Sequence, residues 1–266
     1  MKQLMKLSLV VMLAIGLSLT SCKKNDKEDM ELTSAEDQSQ GESNYDQVFK
    51  EVDDAASETG LKKGGFPIIL IDTNNSIRTM TINYGPSNYL CKDGNYRRGI
   101  INVTWTGKYR AAGTVITIGF TEFYQNDNHI EGSKTITNNG RNALNQMKFT
   151  IIVNGKVTTV TNETHIWNSN RTRTWISGES TPIWNDDVYE ISGTTSGTNR
   201  KGISYSAVTT VPIKADLSCQ YRFVSGVIEL TPEGKAKRII DFGTGKCDNQ
   251  VTVTINGKSH IITKKR

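Results

Sequence analysis

Apolar and polar residues alternate with a period of two along most of the chain after Phe66. The alternating runs are short and rich in β-branched residues, they are bounded by Gly, Asn, Asp or Ser, and no helical pattern separates them. Such runs are typical of antiparallel strands with one buried and one hydrated face. We therefore predict an all-β antiparallel meander over residues 64–266, with strands at 68–71, 78–83, 100–106, 114–120, 133–137, 148–153, 156–160, 172–176, 188–192, 202–208, 226–230, 236–241, 251–255 and 259–263.

Two dipeptides, Asn154-Gly155 and Asn256-Gly257, have the composition of two-residue hairpin turns. Both central residues of a type I′ turn need a positive φ, which Asn and Gly adopt more readily than other residues. We predict that each dipeptide joins the strands on either side of it.

One segment before the β domain has the spacing of an amphipathic helix. Its apolar residues recur three and four positions apart and share one face: Tyr45, Val48, Phe49, Val52, Ala55 and Ala56. Gly60 and the pair Gly64-Gly65 are suited to end such a helix. The pattern predicts one short helix within residues 45–63 that packs on the β domain or covers one end of it.

Charge is unevenly distributed along the chain. Residues 23–44 hold three Lys against seven Asp and Glu, a net charge of −4, and almost no large apolar side chains. A segment of this composition buries too little surface to fold, so we predict that residues 22–44 form a disordered acidic tether. Residues 64–266 hold 24 Lys and Arg against 15 Asp and Glu, a net charge of +9. This excess is too dilute to indicate a nucleic-acid partner and favours solubility instead.

The first 21 residues have the composition of a signal peptide. Lys2 and Lys6 precede an apolar run over residues 7–19, which is shorter than the roughly 20 residues that cross a bilayer. Leu19-Thr20-Ser21-Cys22 resembles the lipobox of bacterial lipoproteins, in which the Cys is acylated and the chain is cut before it. We predict lipid attachment (palmitate) at Cys22 and anchoring to the outer membrane. A surface-exposed and a periplasm-facing position both stay open.

Two segments of the β domain resemble each other. In each, a strand, an aromatic-Gly turn, a Cys and a second strand follow in order, over residues 82–108 and residues 240–258. Two related modules of this kind form either a pseudo-symmetric pair, as in a β-sandwich, or one long curved sheet. The sequence leaves both arrangements open.

The segment Ile240–Asn249 and the following Val251–Lys258 are similar to the C-terminus of a set of uncharacterised lipoproteins of Bacteroidetes-type bacteria. The stretches 98–110, 130–138 and 171–178 resemble the same family. The resemblance covers most of residues 66–263 and implies a lipid-anchored, all-β protein, without implying any activity. Asn83 stands where such proteins often have Asp before the aromatic-Gly turn, which weakens a shared carboxylate role.

Three Cys remain after Cys22, so at least one thiol is unpaired if a disulfide forms. We favour a bridge between Cys219 and Cys247, which lie in consecutive C-terminal strands or their turns; the alternative is that these two and Cys91 are all buried thiols. The three His are far apart and lack zinc spacing, and the glycines of residues 241–249 indicate a tight turn rather than a calcium loop. We predict no cofactor, no metal site and no catalytic residues.

One predicted strand has a face with binding chemistry. Arg171, Arg173 and Trp175 are two positions apart and therefore lie on the same face of the strand predicted around residues 172–176. Arg beside Trp on an exposed sheet could stack on a sugar ring or hold an anion. We name these three residues a candidate ligand face, which Trp105, Trp167 and Trp184 could extend. The alternative is a solvated or packing face.

These features favour a lipid-anchored envelope protein with a non-catalytic binding or structural role. Three alternatives are a surface glycan-binding accessory protein, a glycan-active hydrolase, and a carrier of an apolar ligand in a curved sheet. The hydrolase would need two carboxyl groups about 5–10 Å apart in a cleft. Besides the membrane, the candidate partners are carbohydrate or another envelope component.

Overall fold

The computed structural model describes residues 29–57, 66–181 and 183–264. The predicted signal peptide, the lipid site at Cys22, and the part of the predicted helix after residue 57 lie outside these ranges. The side chain of Trp184 is also outside what is described.

Within the described ranges, fourteen strands form one continuous antiparallel sheet. Consecutive strands are neighbours, except that β2 pairs with β4 and β3 pairs only with β4. The strands are β1 (Ile68–Asp72), β2 (Ile77–Asn83), β3 (Tyr89–Leu90), β4 (Tyr96–Thr106), β5 (Val115–Gln125), β6 (Asn128–Arg141), β7 (Met147–Thr158), β8 (Thr164–Ser177), β9 (Val188–Thr198), β10 (Ser204–Asp216), β11 (Phe223–Pro232), β12 (Arg238–Thr244), β13 (Gln250–Ile255) and β14 (Lys258–Thr263). The predicted all-β meander is confirmed, and the two similar segments lie in the same sheet.

One of the two predicted hairpin turns is present. Asn256 and Gly257 join β13 to β14 with φ angles of 49° and 78°. Asn154-Gly155 is not a turn, because Gly155 lies inside β7 and pairs with Gly132 on one side and Trp167 on the other. A Cβ atom on Gly155 would lie 2.3 Å from the hydroxyl oxygen of Tyr45, so the glycine is required by packing rather than by a turn.

The helix α1 (Thr33–Ser57) begins twelve residues before the predicted start at residue 45. The prediction of a disordered tether is therefore wrong for residues 33–44. Of the seven residues from Thr33 to Ser39, all except Glu36 are buried. Seven consecutive residues point in every direction around a helix axis, since a turn takes 3.6 residues. The sheet therefore encloses this part of the helix.

Opposite charges hold the helix inside the sheet. The helix carries seven Asp and Glu and one Lys, a net charge of −6. Among the described residues, seven arginines of the sheet and its loops each meet a carboxylate of α1 or of the residues just before it: Arg238 with Asp29, Arg200 with Asp37, Arg171 with Glu42, Arg173 and Arg222 with Asp46, Arg97 with Glu51, and Arg110 with Asp53. A buried charge needs such a partner, so the acidic helix and the basic inner face stabilise each other.

Glycines inside strands allow the sheet to bend around the helix. Gly132 in β6 and Gly193 in β9 have φ angles of 105° and 132°. A Cβ atom at these positions would lie 2.0 Å and 2.2 Å from a carbonyl oxygen of the neighbouring strand. Glycine kinks of this kind curve a sheet where a side chain would block it.

Apolar packing completes the interior. Tyr45 of α1 stacks on Trp167 of β8 with ring centroids 5.5 Å apart, and its hydroxyl donates to the carbonyl of Glu131. Val48 and Val52 follow on the same helix and are completely buried. The described residues contain no helix with the length and apolar character needed to cross a bilayer.

Candidate ligand cavity

The candidate ligand face on β8 was correctly assigned to one side of its strand, but that side faces the helix. Arg171, Arg173 and Trp175 are only 3%, 2% and 7% exposed. The prediction of an exposed ligand face is therefore wrong. The alternative of a packing face is confirmed, because carboxylates of α1 neutralise the two arginines.

The two arginines of this row bind the helix and the aromatic rings next to it. Arg171 donates to Glu42. A guanidinium nitrogen of Arg173 lies 3.5 Å from a carboxylate oxygen of Asp46. The guanidinium carbon lies 3.8 Å from the centroid of the Tyr189 ring, which is a cation–π contact. Together with Arg222, Arg173 holds the pKa of Asp46 below its ordinary value, although burial acts in the opposite direction.

Two of the three tryptophans named beside this face, Trp167 and Trp105, are also inside. Trp167 donates from its indole nitrogen to the side chain of Gln38 at 2.9 Å. Trp105 is 5% exposed and packs edge-on against Tyr109. Neither forms an exposed surface with Trp175.

Trp175 nevertheless contributes to a cavity at one end of the enclosed helix. The cavity has a volume of about 190 Å³ and lies between the second half of α1 and strands β5 to β9. Aromatic side chains provide much of its wall, namely Phe49, Tyr109, Phe149, Trp175 and Tyr189. Ile116, Ile136 and Met147 add aliphatic surface. This is the composition expected of a small-molecule site, in which a mostly apolar wall carries a few polar groups.

A buried carboxylate fixes two of these rings. Asp187, which precedes β9, accepts hydrogen bonds from the Trp175 indole at 3.1 Å and from the Tyr189 hydroxyl at 3.2 Å. Burial raises the pKa of Asp187 to about 6, although both hydrogen bonds lower it. The two rings lie 5.3 Å apart in a tilted arrangement, so this part of the wall is formed before any ligand arrives.

Charged groups at the cavity are in ion pairs. Asp53 of α1 accepts from Arg110 at 3.0 Å, and burial raises the pKa of Asp53. Glu179 receives two hydrogen bonds from Arg141, at 2.5 Å and 3.0 Å. The Arg110 guanidinium also lies 5.6 Å from the Trp175 ring, which places it over the aromatic wall.

The predicted disulfide between Cys219 and Cys247 is present, with Cα atoms 5.5 Å apart. Cys91 is a buried free thiol, and burial raises its pKa.

Asp241 accepts from the backbone N–H of Gly243 at 2.8 Å, and Asn83 accepts from that of Gly85 at the same distance. Both residues therefore close a tight turn. The amide oxygen of Asn83 serves this role as well as the carboxylate of Asp241 does. Within the described ranges, no group of three or more His, Cys, Asp or Glu is arranged to hold a metal ion.

Sequence reasoning found one cavity residue as a site candidate, Trp175, and placed Phe49 on the apolar face of a helix. It missed Tyr109, Phe149 and Tyr189, which the loop before β5 and strands β7 and β9 contribute. The signal that could have located the helix was the opposite charge of residues 23–44 and 64–266.

No protein-family model matches this chain, and neither the curated proteins nor the solved structures contain a match to it.

Proposed function

We propose that this chain is a non-catalytic binding protein of the bacterial cell envelope, anchored by lipid at Cys22, that holds a small ligand in the aromatic cavity. The observation that carries the proposal is an aromatic-lined cavity of about 190 Å³ beside the enclosed helix. Natural ligand sites are concave, mostly apolar and largely formed in advance. The lipobox-like residues and the resemblance to Bacteroidetes-type lipoproteins support the anchored position.

The cavity's polar groups favour binding over catalysis. Among the described residues, the wall contains no Ser, Cys or His, and its two carboxylates, Asp53 and Glu179, are each bound by an arginine. A glycosidase needs one carboxyl group free to protonate the leaving oxygen and another free to act as base or nucleophile. Turnover of nitrophenyl glycosides that is lost in Glu179→Gln would overturn the non-catalytic assignment.

A cavity-filling substitution tests the ligand site. Purified protein is screened against a library of small molecules by ligand-observed NMR, and the hits are titrated against Met147→Trp, which places a large ring in the cavity. We expect this variant to lose binding at least tenfold. Ile152→Trp is the matched control, because Ile152 lies on the same strand but is 43% exposed. Equal binding by both variants would place the ligand elsewhere.

The anchor is tested separately with Cys22→Ser. We expect this variant to lose fatty-acid labelling in intact cells and to be released from the envelope fraction. Labelling and retention equal to those of the wild type would contradict the proposed anchor without affecting the cavity.

A further inference from the structure

The strand β1 is one edge of the sheet, and its side chains are apolar on both faces. Among the described residues, β1 pairs only with β2. Ile68 and Leu70 on one face are 46% and 59% exposed, and Ile71 on the other face is 41% exposed. Ile71 pairs with Met80, which is almost completely buried. The apolar interior therefore reaches this edge, where no described residue covers it.

The backbone of β1 also offers hydrogen-bonding groups to a further strand. Tyr84, just after β2, donates its N–H to the carbonyl of Gly99, on the side of β4. Successive residues of an antiparallel strand direct their backbone groups to opposite sides, so the odd-numbered residues of β2 direct theirs towards β1. Their partners on β1 are the even-numbered residues. The N–H and C=O groups of Ile69 and Ile71 therefore face the open edge.

The opposite edge of the sheet, β14, differs from β1 in its charge. It begins at Lys258 and is followed by Lys264. Lysines at a strand edge discourage the addition of another strand. The strand β1 contains no Lys, and its one charged residue is Asp72 at its end. An exposed apolar edge of this kind is suited to strand addition.

The sequence of β1 is complementary to itself in an antiparallel pairing centred on Leu70. Leu70 then lies opposite Leu70 of a second copy, and Ile69 of each copy lies opposite Ile71 of the other. These are the two residues whose backbone groups face the open edge, so each such pair exchanges both of its N–H···O bonds. Asp72 lies opposite Ile68 rather than another carboxylate, so no like charges face each other.

We propose that β1 is a self-association surface, through which two copies of this chain pair edge to edge around a two-fold axis at Leu70. Two-fold symmetry is the commonest form of association between identical chains. The paired segment is five residues long in each copy, so the association is reversible rather than permanent. The inference goes beyond the proposed function and is independent of it, because the cavity lies between α1 and strands β5 to β9.

Disulfide cross-linking of the purified full chain in mild detergent tests the pairing. In Leu70→Cys, the two thiols lie at a pair without hydrogen bonds, where Cα atoms are about 4.5 Å apart and a disulfide can form. Each variant also carries Cys22→Ser, and Cys91 is buried, so the added cysteine supplies the accessible thiol. After oxidation, we expect at least tenfold more covalent dimer from Leu70→Cys than from Ile261→Cys. Ile261 is the matched control, since it is 65% exposed on the opposite edge strand.

The register is tested with a mixed pair. Ile68 lies opposite Asp72 of the second copy, whereas the two Ile68 residues are four positions out of register, about 13 Å apart. We expect Ile68→Cys and Asp72→Cys, purified with different tags, to cross-link when they are mixed. Neither variant should form a covalent dimer by itself.

A charge at the axis tests the association without cross-linking. Leu70→Lys places two ammonium groups beside each other, and we expect its dimer dissociation constant in sedimentation velocity to exceed that of the wild type at least tenfold. Ile152→Lys is the control, because Ile152 is 43% exposed but lies on a central strand. Thermal unfolding checks that both variants are folded.

The outcomes decide the proposal without bearing on the cavity. A covalent dimer that is absent in Leu70→Cys, or as abundant in Ile261→Cys, would overturn it. So would a mixed pair that cross-links no better than its single variants, or a Leu70→Lys variant that associates as the wild type does.

Discussion

Glu42 on α1 and Arg171 on β8 form an ion pair whose side chains are 5% and 3% exposed. The Glu42 carboxylate also accepts from Gln38 at 3.1 Å, and Arg171 donates to Thr209. A buried pair contributes little over an apolar pair of the same shape, but removal of one partner leaves an uncompensated charge. The importance of such a pair therefore depends on both residues being present together.

We predict that Glu42→Leu lowers the free energy of unfolding by about 3–5 kcal/mol, because Arg171 is then buried without its partner. The double variant Glu42→Leu with Arg171→Met removes both charges and should be more stable than Glu42→Leu alone. Urea denaturation measures both values. The control is Glu229→Ala, which breaks an exposed pair with Lys237 and should cost less than about 1 kcal/mol. A double variant as unstable as the sum of both single variants would contradict this account.

His165 is 1% exposed, and neither of its ring nitrogens has a hydrogen-bond partner among the described residues. Burial, together with the nearby charge of Arg200, lowers its pKa to about 4. The unfolded chain binds a proton at this residue near its ordinary pKa of about 6.5, and the folded chain does not. His165 therefore makes the protein lose stability as the pH falls from about 6.5 towards 4.

We predict that His165→Leu removes this part of the pH dependence. At pH 7 the variant should be about as stable as the wild type, since an imidazole without partners is replaced by an apolar group. At pH 4 it should be more stable than the wild type by up to roughly 3 kcal/mol. Urea denaturation of both proteins at each pH gives the difference, in which other titrating groups cancel. A difference that does not change with pH would refute the assignment.

At the scale of elements, α1 is tightly fitted rather than merely adjacent to the sheet. Gly41 is in the middle of the helix, and a Cβ atom there would lie 2.5 Å from Cγ of Trp167. Glycine is unfavourable in a helix by about 1 kcal/mol relative to alanine. The close approach of Trp167 therefore outweighs helix propensity at this position.

We predict that Gly41→Ala destabilises the protein by about 1–3 kcal/mol, the usual cost of overpacking, although alanine is the better helix former. Thermal unfolding followed by circular dichroism provides the measurement. Gln40→Ala, at the neighbouring and partly exposed position, should change the stability by less than about 0.5 kcal/mol. A stabilised Gly41→Ala variant would mean that the helix is less tightly packed.

The elements differ in how far sequence could predict them. The strands were predictable because alternation with a period of two is a local signal, as along β8, where residues 165, 167, 169, 171, 173 and 175 are all buried. The length of α1 was not, because the carboxylates of residues 33–44 are neutralised by arginines far away in sequence. Gly155 was misread as part of a turn for the same reason, since Tyr45 lies 110 residues before it.

The cavity was still less predictable. Trp175 was found because its strand neighbours are unusual, whereas Tyr109 lies in a loop and Tyr189 lies near the start of a separate strand. The pairing of Trp175 with Tyr189 across β8 and β9 brings two of these rings together. Register between strands is a property of the assembled sheet, so composition along one segment could not supply it.

At the scale of the whole molecule, the helix carries a net charge of −6 and residues 64–266 carry +9. Several of the arginines that meet the helix are almost completely buried, including Arg97, Arg173 and Arg238. Without α1, these guanidiniums would line an interior with no carboxylates from the helix and no apolar filling. The sheet and the helix are thus two parts of one cooperative structure.

We therefore predict that a variant lacking residues 29–57 shows no cooperative urea transition, and that a synthetic peptide of residues 29–57 restores one when it is added to the refolding variant. The matched control is the same peptide with Glu42→Gln, Asp46→Asn and Glu51→Gln, which keeps the shape and apolar face but removes three charges that meet arginines. We expect this control to restore little, because Arg171, Arg173 and Arg222 each lose a carboxylate that they meet and Arg97 keeps only Asp93. Removing one partner of a buried ion pair costs several kcal/mol. Cooperative unfolding of the truncated protein by itself would show that the sheet is stable without the helix. Equal restoration by both peptides would show that apolar contacts such as those of Tyr45 and Val48, rather than opposite charges, hold the helix inside.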